Sequence, residues 1–216
     1  VHNAMWEMYN FRGELLQELK AKGYEITVIC PPDEKNAHYF TDLGIKLLTV
    51  PMSRKGTNIK EDVQLVKNLF KVYKKEKFDL VFHYTIKPNI YGTLAAKLAG
   101  IKSIAITTGL GYVFLHNNIT SLIAKFMYKF SLAFANEVWF LNDDDMNIFL
   151  DKDLITERQA FKLPSEGINT KRFVPKEKNR KDSKTVFLMI ARVLYDKGFN
   201  EYLEAAKLIK AQRNDV

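Results

Sequence analysis

The chain has 216 residues, of which 47% are apolar and 27% charged, and 33 Lys plus Arg against 25 Asp plus Glu leave a net charge of +8. That composition supports a packed core and excludes wholesale disorder, and the length suits one large domain or one domain and part of a second. The single cysteine, Cys30, excludes an intrachain disulfide and a cysteine-rich zinc site and suits a reducing compartment.

The opening residues, Val1-His2-Asn3-Ala4-Met5-Trp6, lack the basic start and apolar core of a signal peptide. No initiator Met is present, which leaves room for sequence ahead of Val1. Phe11, Leu15 and Leu19 recur every four residues and Gly23 follows, which predicts an amphipathic helix with that stripe inward. A β-branched run over 25–30 then ends at Pro31-Pro32 and reads as a strand. Asp33 is placed to cap a short helix that closes at Gly44, and 45–50 is a second strand stopped by Pro51.

Val63, Val66, Phe70 and Tyr73 share one face of the next helix. Leu80 to His83 reads as a buried strand, 91–99 as helix closed by Gly100, 104–106 as strand, and 107–118 as a loop. The segment 119–135 is an apolar helix that carries Lys125 and Lys129. It falls short of the roughly 20 residues needed to span a bilayer. Its aromatics and lysines suit either a buried crossover helix or a membrane-interface helix. Strand 137–141, helix 143–150 and strand 160–163 complete the alternation.

This β–α alternation with near-continuous apolar strands predicts an α/β fold: a Rossmann-like parallel sheet with helices on both faces. Ligands of such sheets bind beyond the carboxyl ends of the strands. The segments to inspect are therefore 1–10, 31–35, 51–58, 84–89, 107–118 and 142–145. Composition changes at 176–184, a charged linker after Pro175. The expected organisation is a domain over 1–175, that linker, and over 185–216 the first strand (185–190) and first helix (200–211) of an incomplete second domain.

Several side chains are candidates for chemistry. Arg192 follows a strand end and Lys197 precedes a helix, so the pair suits a diphosphate at a helix N-terminus; the alternative is two solvated loop cations. Thr108 and Gly109, in a glycine-containing loop after a strand, permit close backbone approach to a ligand, or merely form a turn. His83 is a possible base or a structural hydrogen-bonding residue, and Lys87, beside Pro88, is the better anion-binding candidate. Asp143 and Asp145 form an Asp-x-Asp pattern that some sugar transferases use for a metal. Capping by Asn142 with acids in the first helical turn is the stronger reading, so no metal is expected. The basic surplus suits an anionic partner or simply solubility, and no nucleic-acid-binding signature accompanies it.

Several strings together carry a resemblance. They are Tyr9-Asn10-Phe11-Arg12, Lys22-Gly23-Tyr24-Glu25-Ile26-Thr27-Val28, Lys87-Pro88-Asn89-Ile90-Tyr91-Gly92, Gly109-Leu110-Gly111-Tyr112, Gly167-Ile168-Asn169-Thr170-Lys171-Arg172-Phe173, and Ala191-Arg192 to Lys197-Gly198. Over nearly its whole length the chain resembles the amino-terminal domain of a retaining GT-B glycosyltransferase of the family 4 branch. Within that branch it is most similar to bacterial enzymes that add an N-acetylhexosamine to an undecaprenyl-diphosphate-linked sugar in capsule, lipopolysaccharide and related glycan synthesis.

The resemblance implies two Rossmann-like domains facing a cleft, the first chiefly receiving the acceptor and the second the nucleotide sugar. It implies that Arg192 and Lys197 contact the donor diphosphate and stabilise the leaving group. Tyr9, Asn10 and Arg12 would lie in a first loop lining the cleft, with Lys87, Thr108 and Gly109 also on the acceptor side. Where the family often places a histidine this sequence has Thr107-Thr108, so no acid or base is assigned. The paired glutamates of the family are expected beyond residue 216, which leaves the catalytic residues unknown and this portion inactive alone. The implied donor is a UDP sugar with no separate cofactor. The implied partners are a lipid-linked saccharide and the cytoplasmic membrane surface, with the protein peripheral at its inner face. A nucleotide-sugar epimerase of the same fold and a non-catalytic membrane-docking or acceptor-binding module are the competing readings.

Overall fold

A computed structural model describes residues 1–53, 56, 58–110, 114, 119–164, 166–175 and 184–216. These fall into two compact units, Val1–Glu166 and Gly167–Val216. Residues 176–183 of the expected linker, the loop residues Gly111 and Tyr112, and most of the rest of that loop lie outside the described residues.

The first unit is built on parallel strands. β1 (Thr27–Cys30) pairs with β2 (Lys46–Thr49), and β3 (Leu80–Tyr84), β4 (Lys102–Thr107), β5 (Glu137–Phe140) and β6 (Ala160–Lys162) form a second ladder in sequence order. Val1 and His2 join the two ladders. The Val1 amine donates to Phe82 O at 2.7 Å, Val1 O accepts from Tyr84 N at 3.0 Å, and His2 N donates to Ile29 O at 3.1 Å. The first two residues thus occupy the position between β1 and β3.

Alternation along the strands sends successive side chains to opposite layers. Val28 and Cys30 pack with Met5, Met8 and Leu16 of α1 (Met5–Ala21) and Phe40 of α2 (Glu34–Thr41). Ile29 points the other way, onto Leu65, Leu69 and Tyr73 of α3 (Ile59–Glu76) and Ala95, Ala96 and Ala99 of α4 (Thr93–Ala99). Further along that layer, Ala105, Val138 and Phe140 meet Tyr128 and Leu132 of α5 (Ile119–Leu132) and Phe149 of α6 (Asp143–Asp151). The expected α/β architecture with helices on both faces of a parallel sheet is present. Two predicted N-caps are present as well: Asp33 accepts from Asn36 N and Asn142 from Asp145 N.

Two helical faces and one helix start differ from the sequence reading. In α1 the buried positions are Met5, Met8, Arg12, Gly13 and Leu16, while Phe11 and Leu15 of the predicted stripe are exposed. The inward face is one position round the helix, because Arg12 buries its stem and Gly13 lets the Tyr9 ring lie close. In α3 the inward column is Asp62, Leu65, Leu69 and Tyr73, with Val66 and Phe70 half-buried and Val63 exposed. The helix predicted over 91–99 opens earlier, with a π turn over Pro88–Gly92 that passes directly into α4.

In the second unit α7 (Phe199–Gln212) matches the predicted helix, and a 3₁₀ turn, Tyr195–Lys197, precedes it. The strand expected over 185–190 is not formed. A strand needs a hydrogen-bonded neighbour, and none of the described residues pairs with this run. Instead Thr185 N donates to Asp215 O, and Tyr202 Oη to Phe187 O at 3.0 Å. No described residue of this unit is buried.

Packing at the π turn requires a glycine at 92. The buried His83 ring lies between Tyr73 Oη, 2.9 Å from Nε2, and Thr93 Oγ1, 3.3 Å from Nδ1. A Cβ on Gly92 would stand 2.6 Å from His83 Cδ2. Gly92 has φ of −66°, a helical value at which Gly→Ala ordinarily stabilises. Here the sign reverses: Gly92→Ala is expected to lower stability by about 1–3 kcal/mol, because the ring is wedged and cannot retreat. Urea unfolding of the two proteins measures it, and an unchanged or raised midpoint would contradict the packing described.

Candidate functional site at the carboxyl edge of the sheet

The polar groups of the first unit collect where β3, β4 and the Val1–His2 segment end. Thr85, directly after β3, has φ of +73°, a left-handed conformation unusual for a β-branched residue. Four buried side-chain atoms have no hydrogen-bond partner among the described residues: Asn3 Oδ1, Thr85 Oγ1, Asn89 Oδ1 and Thr107 Oγ1. Each follows or terminates one of these three neighbouring strand positions. An unmet buried polar atom costs about 1–3 kcal/mol, so their concentration at one edge makes this edge the candidate site.

Lys87 anchors this edge. It is buried, and its ammonium donates to Asp62 Oδ1 at 2.7 Å and to Ser53 Oγ at 2.8 Å. Asp62 Oδ2 accepts from Tyr91 Oη at 2.8 Å. Burial, and then the neighbouring Asp62 carboxylate, push the Tyr91 hydroxyl up, so it stays a donor. The network ties the segment after β2, the first turn of α3 and the π turn together. It also borders a cavity of about 210 Å³, walled by Pro51, Met52 and Leu65. Sequence reasoning found Lys87 but not Asp62, Ser53 or Tyr91. An acid in the first turn of a helix is explained well enough by the helix dipole, so nothing in the sequence singles out Asp62.

The other candidates are placed as follows. Tyr9, Asn10 and Arg12 lie inside α1 and not in a loop, because the helix begins at Met5. Tyr9 stacks on Tyr39 with ring centroids 3.9 Å apart, and Asn10 Nδ2 donates to Trp6 O within the helix. Arg12 lies 4.8 Å over the Tyr84 ring and pairs with Glu166, so its charge is engaged at the end of β3. Thr108 and Gly109 are exposed just past β4, and Gly109 has φ of +148°. Among the described residues the His83 side chain makes the two internal hydrogen bonds already given. Burial drives its basicity well below the ordinary value, so it is neutral and structural. Burial likewise pushes the Cys30 thiol up to about 11, which leaves it unreactive.

Asp143 pairs with Lys162 at 2.7 Å and Asp145 is engaged by Asn142, which fits the capping reading. Among the described residues no three His, Cys, Asp or Glu side chains cluster. In the second unit Arg192 and Lys197 are both exposed and outside any ion pair among the described residues. Lys197 stands immediately before Gly198, the N-cap of α7.

α5 turns Ser121, Tyr128, Ser131 and Leu132 inward and leaves Ile119, Leu122, Ile123, Phe126 and Phe130 exposed, Phe126 to 68%. Lys129 is exposed among them. Among the described residues this helix is therefore only partly covered. No helix among the described residues is long and apolar enough to cross a membrane.

Residues 2–142 match the family described as Glycosyl transferase 4-like. The chain belongs to that family. It is 32% identical, over 97% of its own length and 59% of the relative's, to the N,N'-diacetylbacillosaminyl-diphospho-undecaprenol alpha-1,3-N-acetylgalactosaminyltransferase of Campylobacter jejuni. It is 26% identical, over 86% of its length and 50% of the relative's, to the UDP-Gal:alpha-D-GlcNAc-diphosphoundecaprenol alpha-1,3-galactosyltransferase of Escherichia coli. The chain thus spans about half the length of these relatives. Among solved structures, Anabaena HepE in complex with UDP shares the fold at a TM-score of 0.57 and 14% identity, over 79% of this chain and 44% of that one. MurG of Acinetobacter baumannii does so at 0.53 and 13%, over 85% and 47%. The fold of this glycosyltransferase-family chain is that of a GT-B glycosyltransferase.

The edge network yields a stability test. Lys87→Met leaves the Asp62 carboxylate buried without its counter-charge and is expected to cost about 3–5 kcal/mol. Adding Asp62→Leu removes the stranded charge, so the double variant is expected to recover most of the loss. Chemical denaturation of the three proteins checks this; a single variant as stable as the parent protein would mean that the pair is solvated.

Proposed function

We propose that the chain is the acceptor-side portion of a glycosyltransferase of bacterial surface-glycan synthesis. The whole protein would transfer a sugar, with retention of anomeric configuration, from a UDP sugar to an undecaprenyl-diphosphate-linked saccharide, without bound metal or separate cofactor. The observation that carries this reading is the 32% identity to a lipid-linked-sugar transferase across nearly the whole chain. The names of both relatives carry an N-acetylated amino sugar on the acceptor lipid. The gathering of unmet polar atoms at the strand ends supports a polar ligand there.

Arg192 and Lys197 are read as the donor diphosphate contacts. Both are exposed cations ahead of a helix N-terminus, where anions are favoured. In the complete gene product, Arg192→Ala and Lys197→Ala are each expected to lower kcat/KM about 10²–10³-fold, the scale of losing one preorganised charge-stabilising donor. Steady-state transfer from UDP sugars to a polyprenyl-diphosphate saccharide measures it. Unchanged values in both variants would overturn the assignment, and release of free epimerised nucleotide sugar would overturn transfer itself.

The exposed face of α5 is read as the contact with the inner face of the cytoplasmic membrane. Its aromatic and aliphatic side chains would enter the headgroup boundary and Lys129 would meet anionic lipid. Flotation with vesicles of phosphatidylglycerol and phosphatidylethanolamine is expected to carry the protein upward. Lys129→Glu should weaken flotation, and Phe126→Glu with Phe130→Glu should abolish it. Equal flotation of all three proteins, or none, would place the membrane contact elsewhere.

A further inference from the structure

The cavity beside Lys87 has a composition that selects its occupant. Its volume, about 210 Å³, lies below the roughly 300–1,000 Å³ of sites that enclose drug-sized ligands. It therefore suits one small group and not a nucleotide. Its charged lining is one ammonium, Lys87, against two carboxylates, Asp62 and Glu61, which disfavours a diphosphate. An apolar chain is disfavoured as well, because burying it against the ion pair would leave the pair's remaining hydrogen-bonding capacity unmet.

The ammonium uses two of its three protons, on Ser53 and Asp62, and has no third partner among the described residues. The rim carries amides. Gln64 Nε2 donates to Asn68 Oδ1 at 2.8 Å, and the Asn68 amide protons and the Gln64 carbonyl have no partner among the described residues. Amide donors and acceptors beside the Glu61 carboxylate at the mouth, apolar walls at Met52 and Leu65, and one spare N–H of the buried Lys87 describe a site for a small neutral amide. The walls suit a methyl group, and the Lys87 proton suits a carbonyl oxygen.

We propose that this cavity receives the N-acyl substituent of the acceptor sugar and makes the protein select an acetamido sugar over its hydroxyl counterpart. The proposal rests on the reading of this chain as an acceptor-binding portion, and it adds which group is recognised and where. Lys87, flagged by the sequence as an anion contact, becomes a donor to a neutral carbonyl, because Asp62 already answers its charge.

The test is binding of two short-chain polyprenyl diphosphates to the chain, one carrying N-acetylglucosamine and the other glucose, followed by titration calorimetry. The acetamido lipid is expected to bind about tenfold more tightly, the scale of one buried methyl group with one hydrogen bond. Asn68→Phe, at the half-buried rim, is expected to close the mouth and erase that difference between the two lipids. Leu65→Phe fills the cavity from its wall; with folding verified by circular dichroism, it should do the same. Saturation transfer to the acetamido methyl, lost in Asn68→Phe, reports occupancy directly. Equal binding of the two lipids, or a preference that survives both variants, overturns the proposal and leaves the acceptor reading standing. Binding of neither lipid overturns both.

Discussion

A parallel sheet covered on both faces leaves little room for polar groups along its strands. In this chain Val28 and Cys30 enter one apolar layer and Ile29 the other, and the same alternation recurs in β4. Polar side chains therefore collect beyond the last rung, and the Lys87–Asp62 pair fixes what is built there. One ammonium binds the segment after β2 through Ser53 and the first turn of α3 through Asp62, while Tyr91 returns the carboxylate to the π turn. Two buried charges persist only when their protons and lone pairs are nearly all engaged. That requirement ties three segments together at the edge where unmet atoms such as Asn89 Oδ1 and Thr107 Oγ1 also lie.

The strands of the first unit were legible because each is a short apolar or β-branched run stopped by proline, glycine or a polar cap, signals that act locally. Helical faces were less legible. The spacing of Phe11, Leu15 and Leu19 is a genuine helical period, but so is that of Met5, Met8, Arg12 and Leu16, and only packing against β1 and α2 decides between them. The need for glycine at 92 was invisible because the contact behind it, the His83 ring against Gly92, joins a strand to a helix through space. Asp62 was hidden for a different reason. Its position had an adequate local explanation, and the partner that gives it a second role lies 25 residues away in sequence. The run at 185–190 shows the converse: it holds β-branched residues yet forms no strand, because a strand is a property of a ladder and not of one segment.

α5 separates what folding requires from what it does not. Covering the sheet uses Tyr128 and Leu132, with Ser121 and Ser131 small enough for close approach. A crossover helix with those inward positions would ordinarily present a polar outer face. Here the outer face is instead Ile119, Leu122, Ile123, Phe126 and Phe130, at a cost in solubility that folding alone does not explain. The α1 stripe of Trp6, Phe11 and Leu15 is also exposed, but Glu14 and Gln17 stand exposed among those positions, so its surroundings are more acidic and polar than those of the α5 face.

Charge is divided along the chain in a way that assigns different chemistry to its parts. The +8 total suggests an anion-binding protein throughout, yet the most deeply placed cations of the first unit are already answered: Lys87 by Asp62, and Arg12 by Glu166. What the strand ends present is neutral and hydrogen-bonding. The exposed cations ahead of a helix, Arg192 and Lys197, belong to the second unit. Under the reading of the chain as part of a sugar transferase, the diphosphate of the donor and the sugar of the acceptor are then recognised by groups that share no partner. Free energies of groups that share no partner add, so acceptor preference and donor affinity can be altered independently. A lysine beside a proline at a strand end does not by itself predict an anion site; its carboxylate partner, three positions into the preceding long helix, decides what the lysine can bind.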